Sequence, residues 1–539
     1  MGQILSANSF SASSLGAPGT FVVIEAPPPI AVGPATSVGG IVGTAPWGPL
    51  NTPVSMGDPN SAATAFGPIT SASLTDAHDM PTDLTYAFSQ AQGSGSSITL
   101  WGVRVSDGTD VAASIALDDT TTPTPSVGGT LTALYTGTMG NQIKAALYAG
   151  SLTNTVSVKL QGFTGTQLEV FPNLPSSGAG TFWTALANAL SQGISGVRGP
   201  SQLARLATPS GTAIAPALGT FTLTGGTDGR TAVTTAELTG QNATFPYTGA
   251  YALQNLTPAV TAFWIAGLTD STGYADMATL ANSMPAAFPI TFPTGTSTTT
   301  AITDLQGYDV TGANVFGLKD WQYVFDSVNN ITRLIPPFAV DMGRILTLSP
   351  AVSPLNKPVY SVSGTERNNP LTGVNTPYTY AELSQLQAAG IMVVANPSPG
   401  GAYFGFQTGV NTLGTSNEVE SPVEWTRMTN YLAQFISMNS GRFVGQNQTS
   451  APDDPLRASV RATFNSAIQQ LVDAKMIQAG SIQCNSLNNP QASVAAHKMF
   501  AYFLFTYLSS VWYFVAQVTG GTTVVTSGST LSQALAGQP

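Results

Sequence analysis

Short hydrophobic runs alternate with one amphipathic stretch in the first hundred residues. Residues 20–25 are β-branched and aromatic, and the prolines at 27–29, which cannot donate to a ladder, end that run. Residues 36–49 are typical of a strand that runs into a Gly/Pro turn. Apolar residues recur at helical spacing over 83–92, with Gly93 as the expected stop, and residues 97–105 favour a strand. The order strand, helix, strand predicts an α/β layer.

The amino-acid composition changes between residues 106 and 229. Charged residues are as sparse as in the rest of the chain, Thr, Gly and Ser dominate, and short alternating runs such as 155–160 are interrupted by one helical pattern over 182–190. This segment is interpreted as a mostly β domain inserted into the first layer. Residues 232–350 would then resume the α/β layer, with 259–268 as a buried strand.

The last third carries the clearest helix signals. Ser421, Pro422 and Glu424 are spaced as a capping box, which predicts a helix beginning after Ser421. Asp454 and the proline after it predict a second helix that ends near Gly480. Each helix has an apolar stripe, formed by Trp425, Met428, Leu432 and Phe435 in the first and by Leu456, Val460, Phe464, Ala467 and Leu471 in the second. A shorter helix over 381–389, stopped by Gly390, should lead into a strand over 391–394.

Residues 499–518 form a stretch of twenty residues without a charge, which is long enough for a membrane helix. Its Phe, Tyr, Trp and Val favour strands, Ser509 and Ser510 divide it, and no cationic anchor follows. We therefore predict two buried strands and no membrane insertion. The strand residues expected in this C-terminal region are Phe503, Phe505, Trp512 and Phe514. One more strand is expected over 522–526.

These patterns together predict a multidomain α/β and α+β protein. The expected divisions are an N-terminal arm over 1–20, an α/β domain over 21–105 plus 230–350, and an inserted mostly-β domain over 106–229. A C-terminal α+β domain over 351–520 and a C-terminal arm over 521–539 complete the chain.

The composition excludes several classes of function and site. Only 8% of the 539 residues are charged, with 17 Lys and Arg against 27 Asp and Glu and a net charge of −10. Because these cations are few and dispersed, they cannot form a phosphate-binding face, and nucleic-acid binding is not expected. Cys484 is the only cysteine, and there are two histidines, so neither an intrachain disulfide nor a Cys/His zinc site is expected. Residues 1–15 lack the basic residue of a signal peptide, which favours synthesis in a reducing cytoplasm.

Catalytic motifs are weak. The loop over 223–229 is rich in glycine but lacks the Gly-Lys-Ser/Thr of a phosphate-binding loop, so it is interpreted as a tight turn or domain crossover. The segment 137–141 also predicts a turn. Asp118–Asp119 could bind a cation, but a solvated loop is the preferred interpretation. His78 is interpreted as part of a solvated loop, because no nucleophile motif lies nearby. We predict no enzymatic activity, no cofactor and no metal.

Several of these segments, in their order along the chain, resemble contractile phage tail sheath proteins. The resemblance covers the opening 17–25, the segment 36–53, the strand ending Trp101-Gly-Val-Arg-Val105, the Gly140–Asn141 turn and the 223–229 loop. It includes the final order of two helices, a short loop and two long strands. The chain departs from the family in its low charge and in carrying Gln446–Asn447 where the family usually has an acidic residue.

The resemblance implies a structural subunit that polymerises around a tail tube and contracts to drive the tube through the host envelope. It implies subunits linked by exchanged terminal β-strands, with Phe21, Val22, Val23 and Ile24 in one arm and Val524 and Val525 in the other. The implied partners are other copies in hexameric rings or a helical sheath, the tail tube protein, and the baseplate and tail terminator proteins. The implied location is the virion tail, assembled in the host cytoplasm, with the inserted domain facing outward.

Three other classes of protein remain open on sequence alone. The first is another self-assembling structural virion or surface-array protein that does not contract. The second is a membrane-associated protein that uses 499–518. The third is a polysaccharide-degrading tail enzyme, which requires a carboxylate pair about 5–10 Å apart that sequence cannot reveal.

Overall fold

The computed structural model describes residues 34–69, 79–165, 167–268, 271–396, 401–416 and 420–516, and the backbone of two strands, β1 (Gln3–Ser6) and β2 (Phe21–Ile24). These two strands pair with each other in parallel, Gln3 opposite Phe21. The strand expected at 20–25 is therefore confirmed. His78, Val524, Val525 and the strand expected at 522–526 lie outside the described residues.

The first α/β layer forms as the sequence pattern predicts. Its first elements are β3 (Val38–Gly43), β4 (Val54–Met56), α1 (Pro59–Phe66), α2 (Met80–Ser94) and β5 (Thr99–Arg104). Helix α2 is longer than predicted, because the left-handed residue that ends it is Gly95 and not Gly93. Strands β3 and β5 run parallel, which places the helices on the faces of the sheet.

The chain returns to this layer after residue 230. The elements that follow are α4 (Thr235–Thr239), β13 (Ala262–Ile265), α5 (Tyr274–Ser283), β14 (Phe288–Thr291), α6 (Thr298–Tyr308), β15 (Val315–Lys319), β16 (Gln322–Asp326), β17 (Ile331–Ile335), α7 (Phe338–Leu346), β18 (Val362–Thr365), α8 (Tyr380–Ala389), β19 (Ile391–Ala395) and β20 (Gly405–Phe406). One sheet has the order β13-β3-β5-β4 and a second has the order β14-β15-β19-β20. A bridge between Ala262 and Ala287 joins them.

Strand β19 extends the α/β sheet beyond the expected boundary at residue 350. It pairs in parallel with β15, Gly317 opposite Ile391, although its sequence position suggested the C-terminal α+β domain. The predicted helix, glycine stop and strand over 381–394 are confirmed, with Gly390 in the left-handed region. The protein is thus a mixed α/β molecule with several sheets, and the domain divisions themselves stay predictions.

Apolar residues on both faces of this sheet are buried under helices. Alternate residues of β3 divide between the faces: Ile41 joins the core beneath α2 and α7, whereas Val42 joins the core beneath α5, α6 and α8. A strand has a side-chain period of two, so a strand covered on both sides reads as a continuous apolar run. All six residues of β3 are buried, as this arrangement requires.

Helices α2 and α7 approach each other closely at Gly343. A Cβ built on Gly343 would lie 2.8 Å from the Cα of Ala87, which is backbone and cannot move aside. We expect Gly343→Ala to destabilise the protein by about 1–3 kcal/mol through overpacking. Thermal unfolding would measure this effect. The matched control is Gly307→Ala in α6, where a Cβ meets no atom within 4 Å and the better helix former should stabilise by up to about 1 kcal/mol. Equal effects of the two substitutions would contradict close packing at Gly343.

The segment between β5 and α4 has its own core and two sheets. Its elements are β6 (Ser114–Asp118), β7 (Val127–Ala133), β8 (Lys144–Ala149), β9 (Thr155–Gln161), β10 (Leu168–Pro175), α3 (Thr181–Gln192), β11 (Ala204–Ala207) and β12 (Gly219–Thr222). The sheets have the orders β10-β9-β8-β12 and β11-β7-β6, and all their pairs are antiparallel. The mostly β content with one helix is as predicted.

The interpretation of Asp118–Asp119 as a solvated loop is wrong. Asp118 ends β6, and Asp119 is buried and accepts hydrogen bonds from the backbone N–H groups of Thr121, Ser126 and Ile214. Burial by itself raises the pKa of Asp119, but these hydrogen bonds outweigh it and bring the pKa to about 2. Asp119 therefore ties together the turn after β6 and the segment before β12.

The C-terminal region contains two long helices and a strand pair. They are α9 (Val423–Ser440), α10 (Pro455–Asp473), β21 (Ala479–Gln483), the short α11 (Gln491–Ala495) and β22 (Tyr502–Thr506). The predicted capping box at 421–424 is wrong, because the residue that precedes α9 is Pro422, and no side chain caps the helix. The end predicted for α10 is also wrong, since the helix stops at Asp473 and Gly480 lies within β21.

Only half of the strand pair expected within 499–518 forms. Phe503 and Phe505 lie on β22, but residues 507–516, including Trp512 and Phe514, adopt no strand. The strand that pairs with β22 is β21, which lies before it in the sequence. Burial is also less than expected, because Tyr502 and Leu504 point away from the core and are 58% and 56% exposed. Residues 511–516 therefore have no strand partner in the part of the chain that the structure describes.

Candidate assembly surface

A compact core holds the C-terminal helices and strands together. Its buried residues come from α9, α10, β21 and the residues next to that strand, namely Met428, Leu432, Phe435, Val460, Phe464, Ala467, Ile468, Leu471, Ile477, Ile482 and Cys484. The ring of Phe503 on β22 meets the ring of Phe464 on α10 edge-on, with centroids 4.9 Å apart. The helical stripes predicted from sequence thus face this core, with Trp425 at its margin.

The start of α10 is fixed by polar contacts within the loop before it. Asp454 caps the helix by accepting a hydrogen bond from the Arg457 N–H at 2.9 Å, and its second oxygen accepts one from the Thr449 N–H at 2.6 Å. The buried Arg457 guanidinium donates to the Thr449 carbonyl at 2.6 Å and to the Ala451 carbonyl. The cap predicted at Asp454 is confirmed. Hydrogen bonds of Asp454 and Arg457 therefore hold this loop, and the uncharged Gln446 and Asn447 take no part in an ion pair there.

Strands β21 and β22 present unpaired edges. They form an antiparallel pair from Ala479 opposite Thr506 to Gln483 opposite Tyr502, and no other strand in the described part of the chain joins either of them. Two strands are marginally stable by themselves, and this pair is supported on one face by α10. Unpaired N–H and C=O groups along such edges are templates for another strand.

The last residues of the chain form a second unit, Ser509–Pro539, separate from Met1–Leu508. Within its described part, large apolar side chains face solvent, and Phe514 is 88% exposed. Its neighbours Val511, Tyr513 and Val515 are exposed as well. The Trp512 indole N–H donates to the Ser510 hydroxyl at 2.9 Å. Four uncovered apolar residues close together along one segment are typical of a surface that binds a partner.

A small apolar pocket of about 290 Å³ lies between the loop after α9, α10 and β22. Its lining includes Phe443, Val444, Phe464, Met499 and Phe503, with His497 as its one titratable side chain. That volume is at the lower end of the roughly 300–1,000 Å³ range of ligand pockets. The described residues contain no group of three or more His, Cys, Asp or Glu side chains that could hold a metal ion.

Four sequence motifs meet where the inserted segment joins the α/β layer. Arg104, fully buried at the end of β5, donates to the carbonyls of Gly48 and Thr136, each at 2.8 Å, and to that of Asp228 at 3.2 Å. Burial lowers the pKa of Arg104, and the nearby Asp110 and Asp228 oppose that shift. One guanidinium thereby connects the 36–53 segment, the loop after β7 and the 223–229 loop.

The glycine turn and the glycine loop bind each other at the same place. Asn141 and Gly226 exchange two hydrogen bonds, N–H of Gly226 to the Asn141 side-chain oxygen at 2.7 Å and the Asn141 amide to the Gly226 carbonyl at 3.0 Å. Gly137 has a φ of +128°, and a Cβ there would lie 2.1 Å from the Pro46 carbonyl oxygen. Residues 223–229 form an irregular segment with isolated bridges at Thr224 and Thr227, and sequence reasoning did not show that these motifs converge.

Buried acids in the core were not foreseen from the sequence. Asp83 on α2 accepts a hydrogen bond from the Trp264 indole at 3.0 Å, and burial raises its pKa to about 8 although that bond lowers it. Asp341 on α7 is also fully buried, and its Oδ1 accepts from the Gln322 amide at 2.7 Å. Both look like ordinary polar residues in a first helical turn, so no sequence signal distinguishes them.

No described helix is both long enough and apolar enough to span a bilayer. The described part of the uncharged stretch, residues 499–516, contributes β22 and the irregular residues on either side of it.

Comparison with known proteins identifies the fold. No family model matches the sequence, and no curated protein is similar to it at the sequence level. A sheath tail protein from Listeria innocua is similar in structure, with a TM-score of 0.56 and 12% identity over 88% of this chain and 96% of that one. A sheath tail protein from Desulfitobacterium hafniense has a TM-score of 0.53 and 14% identity over 91% and 100%.

A helical sheath in its contracted state is also similar. The sheath of the anti-feeding prophage has a TM-score of 0.50 and 10% identity over 94% of this chain and 99% of that one. Nearly the whole of each chain is covered, so the similarity is not confined to one domain. The protein therefore has the fold of contractile tail sheath proteins.

Proposed function

We propose that the protein is the structural subunit of a contractile tail sheath, which polymerises around a tail tube and shortens to drive that tube through a cell envelope. The observation that carries this proposal is similarity to sheath tail proteins over nearly the full length of both chains. The open edges of β21 and β22 and the uncovered apolar residues after Leu508 support it, because both call for neighbouring copies.

Subunits are joined, in this proposal, by terminal strands that add to the β21–β22 pair of an adjoining copy. The candidate strands are 21–24 at one end and the segment with Val524 and Val525 at the other. In the isolated chain β2 pairs with β1, so exchange would replace that pairing. Strand addition at a sheet edge is a recurrent mode of protein recognition.

Side-chain burial must stabilise such a joint. Ordering an arm costs about 1–2 kcal/mol of backbone entropy per residue. New hydrogen bonds return only about 0.5–1.5 kcal/mol each. The backbone contributions to the free energy of strand addition therefore sum to about zero or are unfavourable. Each fully buried apolar side chain stabilises the joint by about 1.5–3 kcal/mol. Apolar residues of the arms and of the exposed face of β22 are the source of that contribution.

The remaining partners follow from the same proposal. They are a tail tube protein inside the sheath, with a baseplate and a tail terminator at its two ends. One of the similar structures is of the anti-feeding prophage baseplate. The particle would be assembled in the host cytoplasm, and the mostly β segment between Arg104 and Arg230 would face outward as the sheath's exterior. No nucleic acid and no cofactor take part.

Negative-stain electron microscopy of the purified protein tests the proposal. We expect hollow cylinders or stacked rings. Few charged residues are available for contacts, so we expect little change in the polymerised fraction between 0.1 M and 1 M salt, over which the Debye length falls from about 10 Å to about 3 Å. Monodisperse particles at all concentrations would contradict the proposal, and flat arrays would favour a surface-array protein.

A further inference from the structure

The core between α7 and β16 contains two polar atoms that lack a hydrogen-bond partner. They are Oδ2 of Asp341 and Oε1 of Gln322, and both are inaccessible to solvent. The two side chains already share one hydrogen bond, from the Gln322 amide nitrogen to Asp341 Oδ1, at 2.7 Å. Buried acceptors without a donor are costly, and two on the same pair of side chains require a common explanation.

We propose that Asp341 is protonated and that its Oδ2–H donates to Oε1 of Gln322, closing a two-bond ring between a carboxylic acid and an amide. A protonated carboxyl group gains one O–H donor, while the amide already supplies the other. A single proton thus satisfies both unpartnered oxygens. The proton joins the first turn of α7 to the beginning of β16 and so acts as a lock within the core.

Among the described residues, no cation forms an ion pair with Asp341, and the nearest arginines have other partners. On α7 itself, the Arg344 guanidinium donates to the Thr347 hydroxyl at 2.7 Å and lies 5.3 Å from the Tyr360 ring centroid. On β16 and β17, Asp326 and Arg333 pair with each other at 2.6 Å.

Helix α2, which packs against α7, contributes the buried side chains of Asp83 and Tyr86, and its N-cap residue is Asp79. None of these three side chains is a cation. Burial raises the pKa of Asp341 to about 8, although the hydrogen bond from Gln322 lowers it. The folded protein therefore retains a proton that the unfolded chain, with an ordinary carboxyl pKa near 4, releases.

The direction of the pH dependence follows. The contribution of this lock to stability is complete below about pH 4 and is lost as the pH rises towards about 8. Each retained proton changes the opening equilibrium constant about tenfold per pH unit across that range. The core around α7 should tolerate acid and loosen in alkali.

Asp341→Asn provides the decisive test. An asparagine can form the same two hydrogen bonds with Gln322, since its amide replaces the O–H donor, but it cannot lose a proton at these pH values. Hydrogen–deuterium exchange of the α7 peptide between about pH 6 and pH 9, corrected for intrinsic exchange, reports the opening of this helix. We expect protection in the wild type to fall by about tenfold per pH unit for this site up to about pH 8 and to level off above it. Asp341→Asn should remove that dependence while matching the wild type near pH 6.

Asp83→Asn is the matched control, because it removes the neighbouring buried acid and should leave the contribution of Asp341 in place. The infrared carbonyl band of a protonated carboxylic acid gives a second readout. It should be present near pH 6 and decrease in Asp341→Asn. An unchanged pH profile in Asp341→Asn, or an unchanged infrared band, would overturn the proposal.

Discussion

Truncation after Leu508 is expected to abolish cylinder formation while leaving the subunit folded. The whole core of the C-terminal helices lies before that residue, as does the Leu508 carbonyl, which accepts the Trp425 indole N–H at 2.8 Å. The truncation removes only the second unit, with its exposed Phe514 and neighbours. The unfolding midpoint should change by no more than about 2–4 °C, whereas polymerisation should disappear.

A full-length variant separates the effect of side chains from that of length. Replacing Val511, Tyr513, Phe514 and Val515 by serine keeps the backbone but removes the apolar surface, and it should reduce polymer by at least about a hundredfold, because each buried side chain contributes about 1.5–3 kcal/mol. Phe245→Ser is the matched control, since Phe245 is a similarly exposed aromatic residue elsewhere. Sedimentation and electron microscopy measure the outcome. Normal cylinders from the truncated chain would refute a role of the terminal unit in assembly.

Arg104→Met is expected to have the largest effect on stability. It preserves the length of the side chain but leaves the Gly48, Thr136 and Asp228 carbonyls without their donor. Each buried acceptor that loses its partner costs about 1–3 kcal/mol, so the free energy of unfolding should fall by about 3 kcal/mol or more. Arg104→Lys should recover only part of this, because an ammonium group does not reproduce the planar fork of a guanidinium.

The loss should be greatest where the inserted segment is connected. Limited proteolysis within residues 105–111 and within residues 224–232 should become faster, since Arg104 binds Asp228 and the backbones of these two connections are hydrogen-bonded to each other. Arg205→Met is a control in the inserted segment, because Arg205 is exposed on β11 and should change stability by less than about 0.5 kcal/mol. If Arg104→Met and Arg205→Met have the same free energy of unfolding, Arg104 does not stabilise the junction between the inserted segment and the α/β layer.

Local signals in the sequence predicted most of the elements but not their partners. The helix at 381–389 with its glycine stop and the cap at Asp454 depend on residues within one turn, and both are confirmed. The pairing of β19 with β15 depends on residues more than seventy positions apart, which no local pattern encodes. The capping box at 421 failed because local spacing does not reveal that Ser421 and Pro422 are fixed by Asn411 and Val410 across a loop.

The assembly surface was predicted only in part. Periodicity identified the apolar stripes of α9 and α10 and the strand character of Phe503 and Phe505. It could not show that Trp512 and Phe514 have no strand partner among the described residues, because the strand preference of a residue does not specify which edge it joins. Buried acids such as Asp341 were missed for a related reason, since burial results from packing that the sequence does not display.

The sole thiol of the chain, Cys484, is fully buried in the C-terminal core, and burial raises its pKa above the usual range. A thiol that is both inaccessible and protonated reacts slowly with maleimides. A cysteine engineered on the surface would therefore be the one reactive position per subunit. Fluorophores or gold clusters attached there would decorate a polymer at regular intervals, and their spacing would report any shortening of the particle directly.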